Sequence, residues 1–134
     1  MTERAFPAAS GSVGAARQFL ADCLTGFDST QLANAQLMVS ELATNAVVHA
    51  STVFTVTVTR RATSALVAVH DTGGGLPAVR PPAPDAVNGR GLRIVRALSS
   101  DWGVDTEPDG KTVWFEIPSG PADLRTDATA EQRY

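Results

Sequence analysis

The sequence is short of cysteine, of positive charge and of long apolar runs. Its 134 residues include one cysteine, Cys23, so no internal disulfide can form. We expect Cys23 to fill a small apolar space on a helix, in a reducing cytoplasm. No run of about 18 apolar residues occurs, and we expect no membrane span. The N-terminus has no basic segment followed by an apolar stretch, which predicts that there is no signal peptide.

Basic residues are too few for a strongly basic surface. Lysine and arginine number 11 against 14 aspartate and glutamate residues, which gives a formal net charge of −3. Binding to nucleic acid depends on clustered basic side chains that neutralise phosphates, so this composition argues against nucleic acid as a partner. We therefore expect a cytoplasmic protein that binds neither nucleic acid nor a membrane.

The hydrophobic content, 43%, is enough to bury the core of one domain. The polar, aperiodic sequence after residue 118 predicts a flexible tail over 119–134, behind a domain over 1–118. Apolar periodicity in that domain predicts a short strand, two helices, a hairpin, a third helix and a second hairpin. In chain order these elements are expected over residues 4–6, 12–26, 29–50, 52–61 paired with a strand ending at 71, 89–100, and 102–106 paired with 112–117.

The order of these elements predicts the fold class. Strands that are neighbours in the chain pair as hairpins, and the helices can gather on one face of the sheet. We therefore expect an α+β fold, a two-layer sandwich with a mixed, mostly antiparallel sheet and helices on one face. Between residues 71 and 89 lies a long aperiodic segment rich in proline, alanine and glycine, and loops of that length are usually functional or mobile.

Three polar side chains, Glu41, Asn45 and His49, recur every fourth residue on the second predicted helix, opposite its apolar stripe. Such a row is often a solvated outer face. Apolar side chains flank this row and no lysine or arginine joins it, which suits the lining of a pocket. Asn45 offers an amide oxygen to Mg²⁺, and Glu41 offers a carboxylate that can hold or deprotonate a hydroxyl. On this helix alone both interpretations stay open.

Two glycine segments flank the long loop. Asp71, followed by Gly73 and Gly75, is typical of a turn, or of a carboxylate that accepts a ligand's amine while the glycines let the backbone approach a flat ring. Residues 89–92, Gly-Arg-Gly-Leu, open a helix and suit an anion. The sequence has no P-loop motif, no dinucleotide-binding fingerprint and no Cys/His cluster for zinc.

The order and spacing of these motifs resemble a known superfamily. Glu-x-x-x-Asn on a helix, Asp-x-Gly-x-Gly after a strand, a long loop and Gly-x-Gly-Leu opening a helix resemble the three boxes of the GHKL ATP-binding superfamily. The resemblance covers about residues 4–117. The segments SELATNAVVHA, DTGGGLP, GRGLRIV and GKTVWFEI are most similar to the stand-alone anti-sigma-factor serine kinases within it.

The resemblance implies a Bergerat-type fold that holds ATP and Mg²⁺. Asn45 would bind the Mg²⁺ that bridges the phosphates, Glu41 would act as the catalytic base toward an incoming hydroxyl, and Asp71 would accept the adenine amine. The other residues that the resemblance implies at the nucleotide are His49, Gly73, Gly75, Gly89, Arg90, Gly91, Leu92 and Thr112.

Two positions depart from the family pattern. Val48 stands where some relatives carry a lysine or arginine three residues after the metal-binding asparagine. The pair Gly110-Lys111 stands where many relatives carry Gly-Thr, which bears on the expected role of Thr112.

The same resemblance implies an anti-sigma-factor-type serine/threonine protein kinase that phosphorylates a small antagonist protein. Its partners would be an antagonist-like protein, a sigma factor or both, and a homodimer is compatible with it. The alternative is a non-catalytic, ATP-dependent module that sequesters a sigma factor or antagonist. Glu41 favours the kinase, because ATP binding alone does not require that carboxylate. A histidine-kinase fragment is disfavoured, since no phosphoacceptor helix pair is evident and His70 is expected to be structural.

Overall fold

Strands and helices follow one another in the order that the sequence predicts. The structure is a computed structural model that describes residues 1–72 and 90–121. The elements, in chain order, are β1 (Thr2–Phe6), α1 (Gly11–Cys23), α2 (Ser29–Thr44), a π-helical segment (Asn45–Ala50), β2 (Phe54–Arg60), β3 (Ser64–Asp71), α3 (Arg90–Leu98), β4 (Asp101–Glu107) and β5 (Gly110–Pro118).

The five strands form one sheet in the order β1-β2-β3-β5-β4. Every strand pair among the described residues is antiparallel. The sequence predicts a mixed, mostly antiparallel sheet, and in this part of the chain the sheet is purely antiparallel. β3 and β5 lie at the centre although α3 and β4 separate them in sequence, and β4 takes the edge. The predicted α+β class is confirmed.

Strand alternation gives the sheet one apolar face and one more polar face, because successive side chains point to opposite sides. The inner face is covered by α1 and α2, and its strand residues are buried. These residues are Phe54, Val56, Val58, Ala65, Val67, Val69, Val113, Phe115 and Ile117. The helices supply matching apolar side chains, among them Ala16, Leu20, Ala35, Met38, Val39 and Leu42.

Three aromatic rings attach the first strand to the rest of the core. Phe6 stacks on Phe54 with ring centroids 5.2 Å apart, and meets Phe19 edge to face at 5.9 Å. Because Phe6 pairs with Phe54 across β1 and β2, the stack lies at the end of that strand pair. Aromatic pairs of these geometries add to the stabilisation that comes from apolar burial. Phe6 therefore attaches edge strand β1 both to α1 and to β2.

The second helix changes its hydrogen-bond period before it ends. Asp28 caps its start, accepting bonds from the backbone N–H groups of Thr30 and Gln31 at 3.1 and 3.2 Å. The chain stays helical to Ala50, as predicted, but from Asn45 onward the helix is π-helical. Single π-helical turns often occur at functional sites. None of the helices within the described residues is long and apolar enough to cross a membrane.

Backbone hydrogen bonds continue past the predicted end of the domain. The N–H of Asp28 donates to the carbonyl oxygen of Ser119 at 2.9 Å, and the N–H of Ser119 donates to that of Thr63 at 3.0 Å. Ser119 therefore joins the start of α2 to the β2–β3 turn. The rest of the predicted tail, residues 122–134, lies outside the described residues.

Cys23 is partly buried and packs against the core, which agrees with its expected role as a small apolar filler. Burial raises the pKa of the Cys23 thiol, and the neighbouring Asp22 carboxylate raises it further. The bond to Thr2 and the charge of Arg60 lower this pKa by less. Because the thiolate is the reactive form of cysteine, the raised pKa lowers the reactive fraction of Cys23.

Arg60 closes the C-terminal end of α1, and we expect its removal to destabilise the fold. Its guanidinium donates to the carbonyl oxygens of Cys23 and Thr25 at 3.2 and 2.9 Å and lies 5.0 Å from the centroid of the Phe27 ring. Arg60→Met should lower the free energy of unfolding by about 1 to 2 kcal/mol, measured by urea denaturation.

The neighbouring Arg61→Met is the matched control for that measurement. Arg61 carries the same charge but makes only an exposed ion pair with Glu116 at 3.3 Å among the described residues. Its loss should cost about 0.5 kcal/mol or less. Equal losses for Arg60→Met and Arg61→Met would contradict the closing role of Arg60.

Gly110 opens β5 directly against the end of β3. A Cβ atom at this position would collide with the carbonyl oxygen of Asp71 and lie 3.0 Å from Cα of Thr72. We therefore expect Gly110→Ala to destabilise the protein by about 1 to 3 kcal/mol in urea denaturation, because backbone atoms must move.

The control for this substitution is Gly14→Ala. Gly14 lies within α1, where an added Cβ would approach only the Arg17 side chain, at 3.5 Å. Alanine at a helical position should stabilise by about 0.5 to 1 kcal/mol. If Gly110→Ala unfolds at the wild-type urea concentration, the close approach of β5 to β3 is not a constraint.

Candidate functional site

A small cavity lies on the inner side of the sheet, between the end of α2, α3 and the strands β3, β4 and β5. Its volume is about 20 Å³, room for about one water molecule. One side is polar and the remaining walls are apolar. The lining residues are Leu42, Asn45, Val69, Asp71, Leu92, Val104, Lys111 and Val113. Three of the residues predicted at a nucleotide, Asn45, Asp71 and Leu92, therefore meet in one place.

Asp71 is the buried charge of this cavity. It ends β3 on the inner face and is only 4% exposed. Its Oδ2 forms an ion pair with Nζ of Lys111 at 3.2 Å. Its Oδ1 is buried and accepts no hydrogen bond from the described residues. A buried carboxylate needs compensating partners, so Lys111 offsets its charge while Oδ1 keeps its capacity to accept a donor.

The three polar residues of the row, Glu41, Asn45 and His49, do not all lie at the cavity. Asn45 lines the cavity at the point where the helix becomes π-helical. Glu41 lies one turn earlier, is partly exposed, and is not among the residues that line the cavity. His49 is exposed on the π-helical segment and is likewise not among those lining residues. Asn45 is thus the member of the row that lines the cavity together with Asp71.

Only part of the two glycine segments lies within the described residues. Leu92 lies on α3, is half-buried, and contributes an apolar wall of the cavity. Arg90 and Gly91 form the first two positions of α3. The predicted nucleotide contacts at Gly73, Gly75 and Gly89 lie outside the described residues.

Thr112 does not line the cavity. It pairs with His70 across β5 and β3, and the His70 Nδ1 and Thr112 Oγ1 atoms form a hydrogen bond of 2.9 Å. Strand alternation puts both residues on the outer face, because the next residue, Val113, is buried on the inner face. The expected structural role of His70 agrees with this bond.

Lys111 is the charged residue of the cavity that the sequence interpretation did not assign to binding. It stands directly opposite Asp71 in the strand register and on the same face. A signal for it exists in the sequence, since Val113, Phe115 and Ile117 alternate as the apolar side of the strand. Extending that alternation back by one step puts Lys111, not Thr112, on the side of Asp71.

The residues of the cavity fit the groups that the resemblance implies. Asp71 Oδ1 is a buried acceptor suited to an amine, and most of the other side chains at the cavity are apolar. Asn45 offers an amide oxygen of the kind that Mg²⁺ binds. No group of three or more His, Cys, Asp or Glu side chains that could hold a metal occurs in the described part of the chain.

Solved structures that are similar to this chain include the following two. The RsbU and RsbW domains of Rv1364c from Mycobacterium tuberculosis superpose with a TM-score of 0.64 at 19% identity, over 91% of this chain and 34% of that longer chain. At that identity the likeness shows the fold alone. The catalytic domain of the histidine kinase ThkA, in a nucleotide-free form, gives a TM-score of 0.46 at 13% identity, over 90% of this chain and 98% of that chain. A search of curated proteins gives no match.

A family model identifies the protein family of this chain. The model described as the histidine kinase-like ATPase domain matches residues 6–117. The match begins at the end of β1 and ends within β5, so it spans both layers of the sandwich. It confirms the GHKL resemblance read from the motifs, and it supports ATP as the ligand of this fold. The chain belongs to the histidine kinase-like ATPase domain family.

Proposed function

We propose that this chain is an ATP-dependent serine/threonine protein kinase of the anti-sigma-factor type. Its substrate would be a small antagonist protein with an exposed serine or threonine hydroxyl, in the cytoplasm. A sigma factor is the second partner of this proposal, and a homodimer is compatible with it. The observation that carries the proposal is the meeting of Asn45, Asp71 and Leu92 in one cavity of a histidine kinase-like ATPase domain.

Different residues of the cavity would bind different parts of ATP. Asp71 would accept the amine of the base at Oδ1, which is buried and takes no bond from the described residues. Leu42 and Val69 would contact the ring through apolar surface. Asn45 would hold Mg²⁺ through its amide oxygen, and the start of α3 would lie toward the phosphates. ATP, when bound, supplies the phosphoryl group, and Mg²⁺ neutralises phosphate charge.

Glu41 would act as the catalytic base toward the incoming hydroxyl. It precedes Asn45 by one helical turn, so both side chains project from the same side of the helix. Its partial exposure suits a group that meets a docked protein, since the hydroxyl must come from outside. The carboxylate would accept the proton of the serine or threonine and orient its oxygen.

The position of Glu41 also favours a second candidate function. Glu41 is not among the residues that line the cavity, so a ligand could be held there without its help. A non-catalytic module would bind ATP through Asp71 and Asn45 and sequester a sigma factor or an antagonist. The two candidates share the binding site and differ only in the use of Glu41.

The binding site is tested by two substitutions in calorimetric titrations with Mg-ATP. Asp71→Asn keeps the shape of the side chain but removes the charged acceptor, and should weaken ATP binding by about tenfold to a hundredfold. Asn45→Ala should weaken binding of Mg-ATP more than binding of ATP in the presence of a chelator. Thr57→Val, on the outer face, is the control and should bind as the wild type does. If both site variants bind ATP with wild-type affinity, the assignment fails.

The catalytic role is tested separately by Glu41→Ala. Under the kinase proposal, radiolabel transfer from ATP to a co-encoded antagonist-like protein should fall by about a hundredfold or more, while the dissociation constant for ATP is unchanged. Slow ATP hydrolysis without the partner should fall in parallel. Wild-type transfer in Glu41→Ala would exclude this residue as the base. Absence of transfer in the wild type, with intact ATP binding, would favour the non-catalytic module.

A further inference from the structure

The ion pair between Lys111 and Asp71 presents two complementary groups side by side. Asp71 Oδ2 is engaged by Lys111 Nζ at 3.2 Å, whereas Oδ1 accepts nothing from the described residues. An ammonium group has three N–H donors. Only the bond to Asp71 engages Lys111 Nζ among those residues, and the Lys111 side chain is 27% exposed. One acceptor and further donors therefore stand together on the polar side of the cavity.

The strand register places Lys111 directly opposite Asp71. Lys111 faces Asp71 across β3 and β5, and Gly110 before it packs on the Asp71 backbone. Side chains directly opposite on one face of an antiparallel pair lie close together. The apolar side chains Val69 and Val113, next along the two strands, close the inner side of the pair. On this backbone the ammonium reaches the carboxylate and forms the 3.2 Å ion pair at the cavity.

We infer that Lys111 is a base-reading residue, which donates a hydrogen bond to the ring nitrogen N1 of adenine while Asp71 accepts the adjacent exocyclic amine. The inference rests on the proposed function and concerns a residue that the resemblance did not assign to the nucleotide. Adenine carries a donor, the amine, next to an acceptor, N1, on one edge. This order of groups is the complement of Asp71 Oδ1 next to Lys111 Nζ. The pair has no net charge, so an uncharged base meets no uncompensated charge there.

The test uses ATP analogues with wild-type protein and Lys111→Met in calorimetric titrations. In 1-deaza-ATP a C–H group replaces N1, and the amine is kept. Wild-type protein should bind 1-deaza-ATP about tenfold or more weakly than ATP, as expected for the loss of a hydrogen bond from a charged donor. Lys111→Met should bind the two nucleotides equally. The ratio within each protein cancels any general effect of the substitution on the fold.

Two controls accompany this comparison. The analogue 7-deaza-ATP alters the opposite edge of the base, so its affinity relative to ATP should be the same in wild type and Lys111→Met. Arg61→Met removes one positive charge, as Lys111→Met does, but on the outer face of the sheet. It should keep the wild-type preference for ATP over 1-deaza-ATP, which separates base reading from the general attraction of phosphates.

The outcomes distinguish this inference from the proposed function. No ATP binding by the wild type would overturn both. ATP binding with equal affinity for 1-deaza-ATP would overturn the role of Lys111 and leave the proposed function standing. Tighter ATP binding by Lys111→Met would show that the ammonium competes with the base for Asp71, and would also overturn the inference. So would a wild-type preference for GTP, whose edge offers an acceptor and a donor in the reverse order.

Discussion

The pairing of β3 with β5 is the constraint on which the rest of the structure depends. This central ladder runs from the Ser64–Pro118 pair to the Asp71–Lys111 pair. Its inner face supplies the middle of the hydrophobic core, and the same face ends in the charged pair of the cavity. Because side chains alternate, a slip of one residue would turn every one of these groups to the other side. Core and site are therefore specified by one register.

Burial and charge are balanced at the end of this ladder. A carboxylate as deeply buried as Asp71 is costly to desolvate, and an ion pair with good geometry offsets part of that cost. Among the described residues the compensation is incomplete, because one oxygen of the carboxylate lacks a donor. A site that stays partly unsatisfied without its ligand gains more from a ligand that completes it. Under the proposed function that ligand is a nucleotide, whose base amine would donate to this oxygen.

The sequence is informative where one local period decides the structure, and weak where two segments must be aligned. Alternation in β2 and β3 and the apolar stripes of α1 and α2 predict the layers correctly, since hydrophobic burial enforces those periods. The motifs also predict that Asn45 and Asp71 meet. The apolar alternation of β5 indicates the face of Thr112, but the pairing of Lys111 with Asp71 depends on register with β3, which a single strand does not reveal. The π-helical turn is equally hidden, because it reflects a shift of backbone bonds and not a side-chain pattern.

The bonds around Ser119 have a consequence for how the molecule can be handled. They anchor the chain beside the Ser64–Pro118 end of the central ladder, whereas the cavity lies at the Asp71–Lys111 end. Ser119 therefore lies at the end of the sheet that is remote from the cavity. A fluorophore or an affinity handle attached at Ser119 would lie on the far side of the domain. Its point of attachment would therefore not obstruct the cavity.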